Sequence, residues 1–188
     1  MAEIQHKWLP KGELLYAQFN DHSLDLIRRS GIPFFHFSEK EQRGNNFGEK
    51  FANAIQQIFD SGFDRIISIG NDSPPLSQLE IRTAIQSLDA GNQVLGPSRD
   101  GGIYLLGVLK SKFDKQRFLE FSWGRRGLYK ELKEHLEING GNPHILRAFI
   151  DIDKPSDITL LLRLTLFIPI GILITIQALF KIIKFLIF

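Results

Sequence analysis

The chain has 188 residues, 43% hydrophobic and 23% charged, which is typical of a globular protein with about one domain. Lys and Arg total 23 and Asp and Glu total 21, so no strong positive field exists to attract nucleic acid. Because there is no cysteine, a disulfide framework, a thiol nucleophile and a Cys-ligated zinc are excluded. The first residues, Met1 to Lys7, lack the apolar core of a signal peptide, so we expect the soluble part in the cytoplasm.

Hydrophobic spacing predicts three elements in the first third of the chain. Glu13 to Arg29 has a loose helical pattern, which predicts a helix broken near Asn20 and Asp21. Ile32 to Phe37 predicts a strand, with its proline at the start, where a missing N–H costs least. Phe47 to Phe59 has apolar residues at three- and four-residue spacings, typical of a helix with one apolar face.

The apolar run Ile66 to Ile69 predicts a buried strand that ends in a rigid, proline-containing loop. Ser77 to Leu88 predicts a helix that opens with a Ser-x-x-Glu capping box. The remaining predicted elements are a strand over Gln93–Pro97, a buried strand over Ile103–Leu109, a short helix within Lys112–Phe121, a helix through Leu128, Leu132 and Leu136, and a strand over Ile145–Ile150.

Strands that alternate with helices at these lengths predict an α/β fold with three layers and a mostly parallel central sheet. We assign residues 1–157 to this domain. Residues 158–188 form a separate apolar tail, for which we predict a C-terminal apolar helix.

Asp72, Asp151 and Asp153 follow predicted strands, and the carboxyl ends of parallel strands are where open α/β sheets bind ligands. Carboxylates at two strand ends can hold Mg²⁺ together with substrate phosphates. An Asp after a strand is also a common turn residue, and Asp153 before Pro155 suits a helix cap. Both interpretations stay open.

The segment Asp100-Gly101-Gly102 has two interpretations of similar weight. It predicts a tight turn, because Asp-Gly tolerates positive φ. It also suits a concave backbone surface where no side chain blocks a phosphate or sugar. Trp123, in a predicted loop, can stack on a substrate ring or simply pack against its neighbours.

Several segments occur in the order found in one bacterial family. They are Asn46–Ala54, Ile69–Pro74, Leu95–Gly107, Trp123 and Asp151–Asp157. The most specific is Gly-Pro-x-x-Asp-Gly-Gly, within Leu95–Gly107. Over roughly Ile32 to Asp157 the chain resembles the glycosyltransferase-A-like rSAM/selenodomain-associated transferases, which implies a nucleotide-diphospho-sugar transferase fold.

The resemblance implies a metal-dependent glycosyl- or nucleotidyltransferase that uses a nucleotide-activated sugar or phosphate donor. By it, Asp72 and Asp153 would hold Mg²⁺ or Mn²⁺ and act in catalysis. The expected substrate-binding residues are Asn71, Asp100, Gly101, Gly102 and Trp123.

The chain departs from the family pattern at several points. Family members begin with a strand and a nucleotide-gripping loop, and we expect both to be missing before Lys7. Gly124, Arg125 and Arg126 replace small polar residues after the tryptophan, and Asn46 stands where an Asp is common. The alternative is therefore a non-catalytic, membrane-tethered binding module or remnant of the fold.

The tail has a composition suited to a membrane. From Ile158 to Phe188 the only charged residues are Arg163, Lys181 and Lys184. The uncharged run Leu164 to Phe180 is at the short end of what spans a bilayer. Arg163, Gln177, Lys181 and Lys184 fall within a narrow helical sector, which also suits an interfacial helix. A spanning or re-entrant helix, an interfacial helix, and a helix folded against the domain remain open.

Overall fold

The computed structural model of the chain describes residues 12–38, 40–71, 73, 75–138, 141–150, 169 and 171–172. Five α-helices and four strands are described. In chain order they are α1 (Gly12–Ser30), α2 (Phe47–Asp60), β1 (Arg65–Ile69), α3 (Gln78–Asp89), β2 (Val94–Pro97), β3 (Ile103–Leu109), α4 (Lys115–Glu120), α5 (Leu128–Ile138) and β4 (His144–Ile145). A 3₁₀ turn at Lys110–Lys112 follows β3.

The four strands form one mixed sheet in the order β1-β3-β2-β4. The β1 and β2 strands each pair with β3 in antiparallel fashion, whereas β4 pairs with β2 in parallel. Three strands therefore run in one direction, and β3 runs against them from a central position.

The prediction of a mostly parallel sheet is wrong for the described strands, since two of their three pairings are antiparallel. Only Ser98–Gly102 separates β2 from β3. A parallel crossover needs a dozen or more residues, so this short link forces a hairpin. The hairpin could have been predicted from the small number of residues between the two strands in the sequence.

A β-bulge interrupts the hairpin beside this link. Gly96 pairs with Leu105 but Pro97 pairs with Ile103, which leaves Tyr104 as an extra residue on β3. The extra residue breaks the alternation of side chains. As a result Tyr104, buried to 1% exposure, joins the same hydrophobic cluster as Leu105.

Helices cover both faces of the sheet, which confirms the predicted three layers. One cluster lies between the strands and the helices α2, α4 and α5; it includes Ala52, Ile55, Phe59, Ile66, Leu95, Leu106, Phe118, Leu128, Leu132 and Leu136. The other lies between the strands and the helices α1 and α3; it includes Leu26, Ile81, Ala84, Leu88, Val94, Tyr104, Leu105 and Phe149.

Two local predictions in the first third of the chain are wrong. The α1 helix is continuous through Asn20, because the burial of Leu15, Phe19 and Leu26 outweighs the weak helix propensity of Asn and Asp there. Residues 33–38 form no strand, since none of the described strands pairs with them. Phe35 instead contacts Phe63 edge-on, with ring centroids 5.4 Å apart.

The last predicted elements are only partly described. The strand expected over Ile145–Ile150 is the short β4, followed by an isolated bridge between Ser98 and Phe149. The helix predicted after Asp153 and the apolar C-terminal helix lie outside the described residues, apart from positions 169, 171 and 172.

A buried carboxylate joins two distant segments of the chain. Glu80, 3% exposed, accepts hydrogen bonds from the Ser77 N–H at 3.0 Å and the Ser77 hydroxyl at 2.6 Å, which confirms the predicted capping box. Its other oxygen lies 2.9 Å from Nε of Arg147. The Arg147 guanidinium also covers the ring of Phe149, and its backbone carbonyl accepts from the Tyr104 hydroxyl. We call this arrangement the Glu80 clamp.

Replacing Arg147 with Met should lower the free energy of unfolding by about 1–3 kcal/mol, because the buried Glu80 carboxylate loses a charged hydrogen-bond partner. Urea denaturation would measure the loss. The matched control is Arg29→Met, which removes a pair with Asp25 that is exposed on both sides and should cost under about 0.5 kcal/mol. Equal losses in the two variants would contradict a special role for the clamp.

Candidate functional site

The carboxyl ends of β1 and β2 meet at one edge of the sheet, because both strands run in the same direction. Beyond β1, the Gly70 N–H donates to the Tyr104 carbonyl at 2.8 Å. Beside the end of β2, the Phe149 N–H donates to the Pro97 carbonyl and the Arg99 N–H donates to the Phe149 carbonyl. The segment that leads to Asp151 therefore leaves the sheet at the same edge as Asn71.

Asp72, Asp151 and Asp153 lie outside the described residues, so their shared metal site stays a prediction. The residues just before Asp72 and Asp151 are described, and they leave from the two margins of the described sheet. In the order β1-β3-β2-β4 these margins are three strand spacings apart, about 14 Å. One ion could contact both carboxylates only if the following loops turn inward over the hairpin.

Among the residues placed by the structure, no three His, Asp or Glu side chains are grouped as a metal ion would require. The Mg²⁺ or Mn²⁺ predicted at Asp72 and Asp153 thus stays a prediction as well. Asn71, expected to bind substrate, contacts α1: its side-chain amide hydrogen bonds the Asn20 side-chain oxygen.

The segment Asp100-Gly101-Gly102 forms a tight turn in the hairpin. The Gly101 N–H donates to the Ser98 carbonyl at 3.1 Å, and the Gly102 N–H donates to the Asp100 carboxylate at 3.0 Å. Asp100 also accepts from the Ser98 hydroxyl. Because both glycine N–H groups bond within the turn, neither points freely toward a ligand.

Gly101 has φ +96°, and a Cβ there would lie 3.1 Å from the backbone N of Gly127. The glycine thus permits close contact with the loop of residues 122–127. The Tyr129 N–H donates to the Gly101 carbonyl at 3.0 Å and fixes this contact.

Trp123 packs among phenylalanine rings. Its centroid lies 4.9 Å from that of Phe51 and 5.7 Å from that of Phe47, and Nε1 donates to the Phe118 carbonyl at 2.6 Å. Phe47 is 53% exposed, so the outer side of this group faces solvent. The predicted role of Trp123 in substrate binding stays a prediction.

The charge of Glu131 is stabilised beside the same loop. Hydrogen bonds from the Ser122 backbone N–H and hydroxyl lower the pKa of its carboxyl, and the positive charges of Arg117 and Arg125 add to this effect. The Ser122 N–H lies 2.9 Å from the carboxylate.

Sequence reasoning missed the contribution of Arg147 to this edge. Glu80 was recognisable from its capping box, but Arg147 lies 67 positions later and carries no local pattern. Arg125 and Arg126 were recognisable only as departures from a family pattern.

A cavity of about 610 Å³ lies away from this edge. Its lining residues are Asp64, Arg65, Gly91, Leu109, Lys110 and Ser111, at the amino end of β1 and the carboxyl end of β3. Lys110 donates there to the carbonyl of Phe59, near the end of α2. Lys112 donates to the carbonyl of Gly91, just after α3, so both ammonium groups bond to carbonyls at helix ends.

The fold has a close counterpart among solved structures. A crystal structure from Desulfovibrio desulfuricans G20, of a protein named "putative nucleotide-diphospho-sugar transferase", superposes with a TM-score of 0.76 at 24% identity. The superposition covers 89% of this chain and 84% of that one. The chain therefore has a nucleotide-diphospho-sugar transferase-like α/β fold, which confirms the fold that the motifs predict.

The chain belongs to the family DUF2064, described as uncharacterized proteins conserved in bacteria, which residues 14–125 match. No curated protein matches the sequence.

Gly48→Ala should destabilise the protein by about 1–2 kcal/mol, although Ala favours helices over Gly by about 1 kcal/mol. A Cβ at Gly48 would lie 2.6 Å from Cδ1 of Trp123, so the indole would have to move. Urea denaturation measures the effect. In a Trp123→Phe background the same change should become neutral or stabilising; an unchanged cost in that background would contradict the contact.

Proposed function

We propose that the protein is a metal-dependent transferase that uses a nucleotide-activated sugar or phosphate donor, of the glycosyl- or nucleotidyltransferase type. The supporting observation is the shared edge of the sheet. The described residues that precede Asp72 and Asp151 leave β1 and the β4 segment at this edge, on either side of the hairpin. Ligands of α/β sheets bind at such an edge.

The roles proposed for the residues follow from their chemistry. Asp72 and Asp153 would bind Mg²⁺ or Mn²⁺, which would neutralise the diphosphate of the donor and ease its departure. Asn71 precedes Asp72 in the chain, and its side-chain amide donates to Asn20; it would contact the donor through its remaining hydrogen-bonding capacity. The Asp100 carboxylate is fixed by Ser98 and Gly102, so it would present a rigid acceptor to a substrate hydroxyl.

Isothermal titration calorimetry with MnCl₂ and a panel of nucleoside triphosphates and sugar nucleotides tests this function. We expect at least one nucleotide to bind in a Mn²⁺-dependent way, and Asp72→Asn or Asp153→Asn to weaken that binding at least about tenfold. Asp60→Asn is the control, because this carboxylate lies at the exposed end of α2. If no nucleotide binds, or if the Asp72 variant binds as well as wild type, the proposal fails.

The second candidate is a non-catalytic, membrane-tethered binding module, and the composition of Ile158 to Phe188 favours it. Within the described ranges no helix is long and apolar enough to cross a membrane. Ile172, a described residue of this tail, is 3% exposed. Turnover of any nucleotide donor by the purified chain would refute the non-catalytic candidate.

Ile172→Lys separates a membrane anchor from a folded tail. It places a charge at the centre of the run Leu164 to Phe180, which would cost about 2.5–3.5 kcal/mol in a spanning helix. For an anchor we expect the full chain to leave the membrane fraction while the urea midpoint stays constant. Leu14→Lys, at a leucine 61% exposed on α1, is the control. A lowered midpoint with unchanged fractionation contradicts the anchor.

A further inference from the structure

Two loops meet at the edge of the sheet where β1 and β2 end, and both contain arginine. The hairpin turn of residues 98–102 contains Arg99, and the loop of residues 122–127 contains Arg125 and Arg126. A Cβ at Gly101 would lie 3.7 Å from Cα of Arg126, so the two loops are in backbone contact. Arg99 and Arg126 therefore start from neighbouring points of the surface.

All three arginines are exposed. Within the part of the chain that the structure describes, none of the three side chains has a hydrogen bond or an ion pair. Among the described residues, four other arginines are paired with acids, whereas Arg28, Arg43 and Arg82 are not. These pairs are Arg29 with Asp25, Arg65 with Asp89, Arg117 with Glu120, and Arg147 with Glu80.

Among the described residues, the acids nearest to these loops bond to other groups. Asp100 is the only acid in the two loops, and its carboxylate bonds to the Ser98 hydroxyl and the Gly102 N–H. Glu131, next to the second loop, bonds to the Ser122 N–H, and its charge also interacts with that of Arg125. The two loops thus carry three cations against one acid, and the surplus faces solvent.

We propose that Arg99, Arg125 and Arg126, the arginine rim, bind a phosphoryl group of a ligand at this edge of the sheet. Guanidinium groups pair bidentately with phosphate oxygens, and two or three of them match the double charge of a phosphate monoester. Gly124 and Gly127 have open space where a Cβ would lie, so a phosphate can approach the backbone of the second loop. Three cations are too few for a nucleic-acid surface.

The rim goes beyond the proposed transferase function, because it requires neither a metal ion nor a nucleotide. It would supply an anion site made of Arg99, Arg125 and Arg126, whereas the diphosphate site is proposed at Asp72 and Asp153. A ligand phosphate held here would lie next to the hairpin turn.

The test uses the full chain without divalent metal, titrated with inorganic phosphate and with phenyl phosphate by calorimetry. The test variant is Arg99→Gln/Arg126→Gln, and the control is Arg28→Gln/Arg82→Gln, which removes the same charge from exposed positions on α1 and α3. We expect the rim variant to bind phosphate at least about tenfold more weakly than wild type, with the control unchanged. Arg126→Lys should lose part of the affinity, because Lys keeps the charge without the planar fork.

Co-sedimentation with phosphatidylcholine vesicles, with and without phosphatidic acid, separates the two sources of a phosphoryl group. Rim-dependent vesicle binding that phosphate competes away indicates a lipid headgroup, and phosphate binding without vesicle binding indicates a small phosphorylated ligand; both support the rim. Absence of phosphate binding by the wild type, or equal weakening in the rim and control variants, overturns it. Because no metal or nucleotide is present, this result is independent of the transferase test. If the double variant has a lowered urea midpoint, Arg99→Gln alone provides the comparison.

Discussion

The antiparallel insertion of β3 between β1 and β2 is the constraint on which the site depends. Its residues from Tyr104 to Leu109 are buried, and the strand pairs along both sides, so it fixes the relative positions of its neighbours. Because β3 is reversed, the ends of β1 and β2 and the turn that enters β3 lie at the same edge. Asn71, the hairpin turn and the arginine rim are thereby placed on one side of the protein.

The bulge at Tyr104 connects this sheet edge to the buried Glu80 clamp. It turns the tyrosine toward Phe149, with ring centroids 4.6 Å apart, and brings its hydroxyl to the Arg147 carbonyl. Arg147 in turn contacts Glu80, which caps α3. The loop after β1 and the segment before Asp151 are thus held to one rigid network, although they are far apart in the chain.

Two glycines, Gly48 and Gly101, lie in segments that resemble the family, and packing explains both. Gly101 permits backbone contact with Gly127, and Gly48 permits contact with the indole of Trp123. In both places a missing side chain makes room for another part of the protein. Arg99, Arg125 and Arg126 lie exposed on the surface near Gly101. The acid of the two loops, Asp100, bonds within its own turn and not to these arginines.

The sequence by itself determined the local elements: α2 from its apolar spacing, α3 from its capping box, and the strands β1 and β3 from their apolar runs, since these signals depend on near neighbours in the chain. The burial predicted for β1 holds only at Ile66, whereas β3 is buried from Tyr104 to Leu109. The family motifs, through the resemblance that they carry, also predicted the nucleotide-diphospho-sugar transferase-like fold. Only the tertiary structure decided the continuity of α1 and the lack of a strand at residues 33–38, because pairing and burial depend on distant residues. For the same reason the partnership of Glu80 with Arg147, and the meeting of Gly101 with Gly127, had no signal in the sequence.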